Sequence, residues 1–345
     1  MKKLTAILFY IFITLGFLTG CQTETPVQTG NTEENIVINN ENTEQEAIVE
    51  TVMNDRTDET NTYTNLCIPT YITRVDDCYF IVDCYHNQVI YHDNLTDPLE
   101  QWKVMVDGLS RPHTMASDGV VYLIDDTENH KIIVMQKRMN DYGEYYFEIT
   151  QEFSDIGTRP HYIIYHEESN TFYAWSSMTG EMYLFQREVD ATEVELAEVR
   201  KIDQLMGVYV RSFTIVDDAI YFVSGQQKIL KAQLSDLEIV AEYPVIPEIA
   251  GMAQISLIGD YYYVTVSTDV SGSQDYKTIL RADSLESLAT GEFDVLYDLF
   301  GCDGTPYNIT HFDGHFYLAE HRISNCRIWQ FDVNNNEIEN ITKIY

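Results

Sequence analysis

From about residue 62 onward, apolar residues come in short runs separated by Asp, Asn and Gly, and the same sequence of breaks returns along the chain. The clearest unit spans residues 111–125. It opens on Arg111, Pro112 and His113, turns at Asp118-Gly119, and runs through Val121, Tyr122 and Leu123 to Asp125. A polar step at Asn129 and His130 then leads into the apolar residues 132–135. An Asp-Gly pair between apolar runs is a strong hairpin signal, so this unit predicts a strand, a tight turn, a second strand, a loop and a third strand.

Five more copies follow the same grammar. They begin at Pro69, at Arg159-Pro160-His161, at Arg211, at Gln254 and at Thr305-Pro306. With the proline position as marker (69, 112, 160, then Ser212, Ala253 and Pro306), the spacings are 43, 48, 52, 41 and 53 residues. That is the length of one four-stranded propeller blade and leaves little room for helices. Fourth strands fit residues 101–107, 146–153, 195–202, 239–244, 294–299 and 337–344. The pattern therefore predicts an all-β fold, a six-bladed β-propeller of four-stranded antiparallel blades over residues 61–345. Two β-sandwiches are the alternative, but they require no unit repeated this faithfully.

The N-terminal segment reads differently. Lys2 and Lys3 precede an apolar run over residues 4–18, short for a bilayer span and suited to the core of a signal peptide. The run ends in Leu18-Thr19-Gly20-Cys21, the pattern of a bacterial lipobox. Small residues admit the peptidase, and the Cys21 thiol is the nucleophile that takes up lipid with acyl chains such as palmitate. Residues 1–20 are thus expected to be a lipoprotein signal peptide and Cys21 the lipidation site. The expected location is outside the cytoplasm, anchored to the bacterial cell membrane. Residues 22–60 hold ten Asp or Glu against one basic residue, Arg56. Such a stretch buries too little apolar surface to offset its ordering entropy, so residues 21–60 are expected to be an acidic tether. Residues 47–53 are its one apolar patch, able to dock as an extra strand or a short helix.

Composition narrows the partners. The formal charge of −34 repels nucleic acids, so no nucleic-acid partner is expected. The 25 Tyr and 15 Phe favour strands and a substantial core. Beyond Cys21 five cysteines remain, with no Cys-x-x-Cys pair, allowing at most two bridges. Cys67 and Cys302 stand just before the first and last inner strands, so ring closure is expected to bring them together.

The second unit, with Pro112, Ala116, Asp118-Gly119, Val121-Tyr122, Asp125 and Asn129-His130-Lys131-Ile132, resembles the NHL repeat of six-bladed propellers. Gluconolactonase-like hydrolases and the peptidylglycine amidating lyase are similar propellers. The resemblance implies a hydrolase or lyase acting at the channel mouth. Where NHL repeats carry Gly two residues after the proline, this chain has Tyr71, Thr114, Tyr162 and Asn308.

Inner strands of a propeller face a common axis, so equivalent positions form rings. One level reads Ile68, Arg111, Arg159, Arg211 and Thr305, and two residues on the next reads Thr70, His113, His161, Phe213 and Tyr307. Cations recurring in three adjacent blades of an acidic chain point to a pocket for an anionic group, because Arg offers a bidentate fork to a carboxylate. The candidate ligand-binding residues are Arg111, His113, Arg159, His161, Arg211 and Tyr307. Two other readings stay open. Each Arg can pair with an acid ending a second strand (Asp83, Asp125 or Glu320), or His113 and His161 with His311 or a carboxylate can hold a divalent metal. The sequence names no cofactor. The expected function is a binding or scaffold module at the cell surface for a small polar or anionic ligand or a protein partner, with a hydrolase or lyase at the channel mouth as the alternative. Trp102, Trp175 and Trp329 suit core packing or sugar stacking.

Overall fold

The computed structural model describes residues 65–273, 278–301, 304–321 and 326–345. Cys21, the tether and Cys302 lie outside the described residues, and with them the expectations for lipidation, for residues 47–53 and for a Cys67–Cys302 pair. Residues 65–345 form six four-stranded antiparallel sheets, each built from strands consecutive in sequence. The inner strands are Pro69–Val75, Met115–Ser117, Pro160–His166, Val210–Val216, Gly251–Ile258 and Thr305–Phe312. The predicted six-bladed, all-β propeller is the observed fold. Its helical content among the described residues is confined to short 3-10 turns.

Fourth strands match the expected places closely: Ile239–Pro244 as predicted, Tyr145–Phe153 and Glu195–Lys201 within a residue. Blade 5 departs. Its outer strand is only Asp294–Val295, and the chain then winds into a 3-10 turn at Tyr297–Phe300 that buries Tyr297 and Phe300 against blade 6.

Continuous apolar runs are required because each sheet is covered on both faces, and alternate side chains serve different cores. In blade 1, Cys78, Phe80 and Val82 enter the cluster shared with blade 2, while Ile81 between them enters the cluster shared with blade 6. Blade 2 repeats this: Tyr122 and Ile124 face blade 1, Val121 and Leu123 face blade 3. The core is therefore a set of wedges between neighbouring blades. Trp175, Trp329 and Trp102 fill three of them, which assigns all three tryptophans to packing.

Among the described residues no strand is exchanged between first and last blades, and side chains tie the two together. Tyr345 reaches into blade 1, where its hydroxyl accepts the Trp102 indole N–H at 2.9 Å and donates to the Asp97 carbonyl at 2.8 Å. Arg74 of blade 1 pairs with Asp313 of blade 6. At the same seam Cys67 and Cys84 pack with Cys326, whose sulfur accepts the Ile68 N–H at 3.2 Å.

Candidate functional site

The inner strands do not run smoothly into the channel. Pro69 pairs with Asp83 but Tyr71 pairs with Val82, leaving Thr70 as an extra residue. The same bulge isolates His161 between Pro160 and Tyr162, and Tyr307 between Pro306 and Asn308. A bulge re-aims the extra side chain, here toward the axis at the strand's starting end. In blade 2, His113 stands at the same place, its N–H donated to Asp125 Oδ1 at 2.7 Å.

Blade 4 corrects the expected ring. Val210 pairs with Ser224 and Phe213 with Phe222, so Arg211 itself occupies the bulge and is level with the histidines. Phe213 is fully buried in the wedge between blades 3 and 4. The residue level with Arg159 is then Tyr209, which sequence spacing from Arg211 missed.

The acids expected to pair with the arginines hold backbone N–H groups as well as other side chains. Asp83 Oδ1 accepts the Cys67 N–H at 2.7 Å and Glu320 Oε1 the Gly304 N–H at 2.6 Å, while Asp83 also meets His86 and Glu320 the Trp329 indole. In blade 2 the neighbouring Asp126 Oδ1 takes the Ser110 N–H at 2.6 Å. Ser176 serves the Thr158 N–H in blade 3. Each pins the loop that enters an inner strand. The next residues, Ile68, Arg111 and Arg159, hold left-handed backbone at φ 59°, 53° and 60°. Such a conformation is costly without Gly and is kept where surrounding bonds over-determine it. Asp125, as fully buried as Asp83 and Glu320, holds the start of the inner strand itself. It accepts four bonds from His113, Thr114 and Thr127, yet burial still pushes its carboxyl up to about 6.

Side chains from blades 2, 3, 4 and 6 meet at the mouth. The His113 and His161 rings stack with centroids 3.8 Å apart. The Tyr307 hydroxyl lies 3.3 Å from His113 Nδ1 and 3.4 Å from His161 Nε2. His161 Nδ1 is 2.9 Å from the Arg211 carbonyl, which can only accept, so Nδ1 carries the hydrogen. In the neutral ring Nε2 then accepts from the Tyr209 hydroxyl, 3.0 Å away. Burial holds both imidazoles well below the usual histidine range. For His113 the neighbouring His161 and Arg159 add to this, and for His161 Arg159 and Arg211 do.

Tyr209 sits between two cations, with the Arg159 and Arg211 guanidinium carbons 5.5 and 5.4 Å from its ring centroid. Arg159 also pairs with Glu128 at 3.1 Å, and Arg211 donates to the Gly251 carbonyl and to Ser267. Arg111 lies over the Tyr85 ring at 5.2 Å. Thus five of the six predicted residues (His113, His161, Arg159, Arg211 and Tyr307) come together through recorded contacts. Arg111 joins them through its place in the ring, one loop away. Sequence reading missed Tyr209, Cys84 and His321. Cys84 Sγ is 3.9 Å from both His113 nitrogens, and burial pushes its thiol well up, so it is no thiolate nucleophile. His321 packs on Tyr307 at 4.9 Å.

The metal reading fares poorly. His311 is exposed near the far end of its strand, against Phe316, and does not approach His113 or His161. Among the described residues no group of three or more His, Cys, Asp or Glu is arranged to hold a metal ion.

One residue deeper the axis is crossed again. The Tyr162 hydroxyl of blade 3 accepts Gln254 Nε2 of blade 5 at 3.2 Å and Asn308 Nδ2 of blade 6 at 3.0 Å. Blades 3 and 6 are opposite in a ring of six, so this link spans the channel. Burial pushes the Tyr71 hydroxyl well up, and the nearby Tyr162 adds to this. Tyr162 and Asn308, two of the residues standing two places after the proline position, thus meet across the axis beneath the mouth, whereas Thr114 is held by Asp125 and the Ile163 N–H.

No family model matches the sequence, and no curated protein matches it. Solved structures do. A provisionally named 6-phosphogluconolactonase from Bacteroides uniformis superposes with a TM-score of 0.56 at 15% identity, over 81% of this chain and 85% of that one. A counterpart from Bacteroides fragilis gives 0.55 at 13%, over 81% and 83%. The WD40 β-propeller domain of Doa1 gives 0.51 at 10%, over 81% and 84%. At such identities the likeness defines a β-propeller and nothing finer.

Proposed function

We propose that this chain is a lipid-anchored, extracytoplasmic propeller whose channel mouth binds a small anionic ligand, with a carboxylate as the best-fitting group. The observation that carries the reading is the convergence of Arg159, Arg211, His113, His161 and Tyr307 on one end of the axis, from four blades of a strongly acidic chain. Guanidinium groups offer paired donors to a planar anion, and the tyrosine and histidine edges add single hydrogen bonds. A hydrolase or lyase at the same mouth is the second reading, favoured by the neutral imidazoles.

Calorimetric titration with a panel of small mono- and dicarboxylates tests the reading. Arg159→Ala is expected to weaken the best binder by about 2 kcal/mol, roughly thirtyfold, as for loss of one partner of a charge-assisted pair. If no carboxylate binds, or Arg159→Ala binds equally well, the mouth is not an anion site.

A further inference from the structure

Resting on that reading, we infer that the mouth is a proton-transfer site in which Tyr209 is the catalytic residue and His161 its positioning and proton-accepting partner. The substrate class is a carboxylate with hydrogen on the adjacent carbon and an oxygen leaving group on the next, as in a linked uronic acid. Three features carry this. First, the order of groups is that of an activated side chain: Tyr209 hydroxyl, His161 Nε2 at 3.0 Å, and behind it His161 Nδ1 fixed by the Arg211 carbonyl at 2.9 Å. Second, the layering is right. Tyr209 is half-buried at the surface of the mouth, whereas His161 is 1% exposed and kept neutral beneath it. Third, Arg159 and Arg211 flank the ring of this same tyrosine.

The third feature selects the reaction. Cations beside the proton-transferring group stabilise charge only if it develops there. Removing a proton next to a carboxylate does this, since the electrons flow onto the carboxylate oxygens. In ester hydrolysis the charge builds on the attacked carbonyl, away from a bound carboxylate.

In the step, Tyr209 Oη takes the proton from the carbon beside the carboxylate while its own proton passes to His161 Nε2. The freed C–H electron pair becomes a carbon–carbon double bond as the bond to the leaving oxygen breaks. That oxygen recovers a proton through the same pair. One substrate gives an unsaturated acid and an alcohol, and the sum consumes no water, oxidant or reductant.

The test incubates the folded protein with oligogalacturonate and, separately, with alginate oligomers, following the near-ultraviolet absorbance of the conjugated acid. Binding of the same oligomers is measured by calorimetry. Turnover of one probe is expected. Tyr209→Phe should fall at least a hundredfold while binding changes less than about threefold, because the ring that faces both guanidiniums is kept. His161→Gln should lose the wild-type plateau of rate extending well below the ordinary histidine range, a change that a merely structural role would not produce. Binding without product, or full activity in Tyr209→Phe, overturns the inference and leaves the anion site standing. Failure of every carboxylate to bind overturns both.

Discussion

Replacing Tyr162 with Phe removes one oxygen and tests whether the axial plug contributes to stability. That oxygen accepts two amide hydrogens from blades on the other side of the channel. The two donors lose unequal amounts. Gln254 Nε2 keeps the Ile309 carbonyl at 3.0 Å, so its loss is partial. Asn308 is 2% exposed and its Nδ2 has Tyr162 as its recorded acceptor, so it is left buried and unpaired. A stranded buried donor costs ~1–3 kcal/mol, and the partial loss adds about 0.5. The expected destabilisation is therefore roughly 2–3 kcal/mol, read from urea unfolding with unchanged m value. By thermal melting it is a fall of at least about 4 °C. Adding Asn308→Leu removes the stranded donor and should recover part of the loss. A single variant within about 0.5 kcal/mol of the parent, or a double variant whose losses simply add, would refute the transverse link.

Two further outcomes follow. His113 and His161 are held below the ordinary histidine pKa, so the unfolded chain takes up protons first as pH falls. Their contribution is complete above about pH 6.5 and is lost on acidification, by ~1.4 kcal/mol per pH unit for each ring. Asp125, raised to about 6, gains stability as pH falls toward 4 and offsets about one of them. Unfolding titrations of wild type against His161→Gln should differ in slope by one proton below pH 6.5, and equal slopes would show that the ring is not buried neutral. Separately, Cys21→Ala is expected to leave the precursor unprocessed or release the protein from membranes; normal processing with retained membrane attachment would remove the proposed anchor.

The fold was legible because a propeller is a local code. Each blade is a contiguous meander, so turn residues such as Asp118-Gly119 and Asp313-Gly314 mark the same hairpin without any long-range pairing to guess. The site was legible in its residue types and less so in its geometry. Blade 4 has Val210 where blade 3 has Pro160, so matching Arg211 to Arg159 by residue type shifted the ring by two places and sent Phe213 into it. Asp83 and Glu320 were rightly marked as ends of second strands, but each holds a backbone N–H, which carries no signature in sequence, together with side chains of its own blade. Tyr209 stayed hidden among many tyrosines, since only its position between two guanidiniums distinguishes it.

The seam between blades 1 and 6 ties the site to the order in which the chain is made. Blades 2, 3 and 4 can bring His113, His161, Arg211 and Tyr209 together before the last blade exists, and the Tyr307 hydroxyl is then the missing part. Tyr307 arrives with blade 6, opposite His161, and Tyr345 fastens that blade to the first. Completion of the mouth and locking of the ring thus depend on the same last blade. A chain halted before it holds the cations and the Tyr209–His161 pair but lacks the Tyr307 hydroxyl that reaches both His113 and His161.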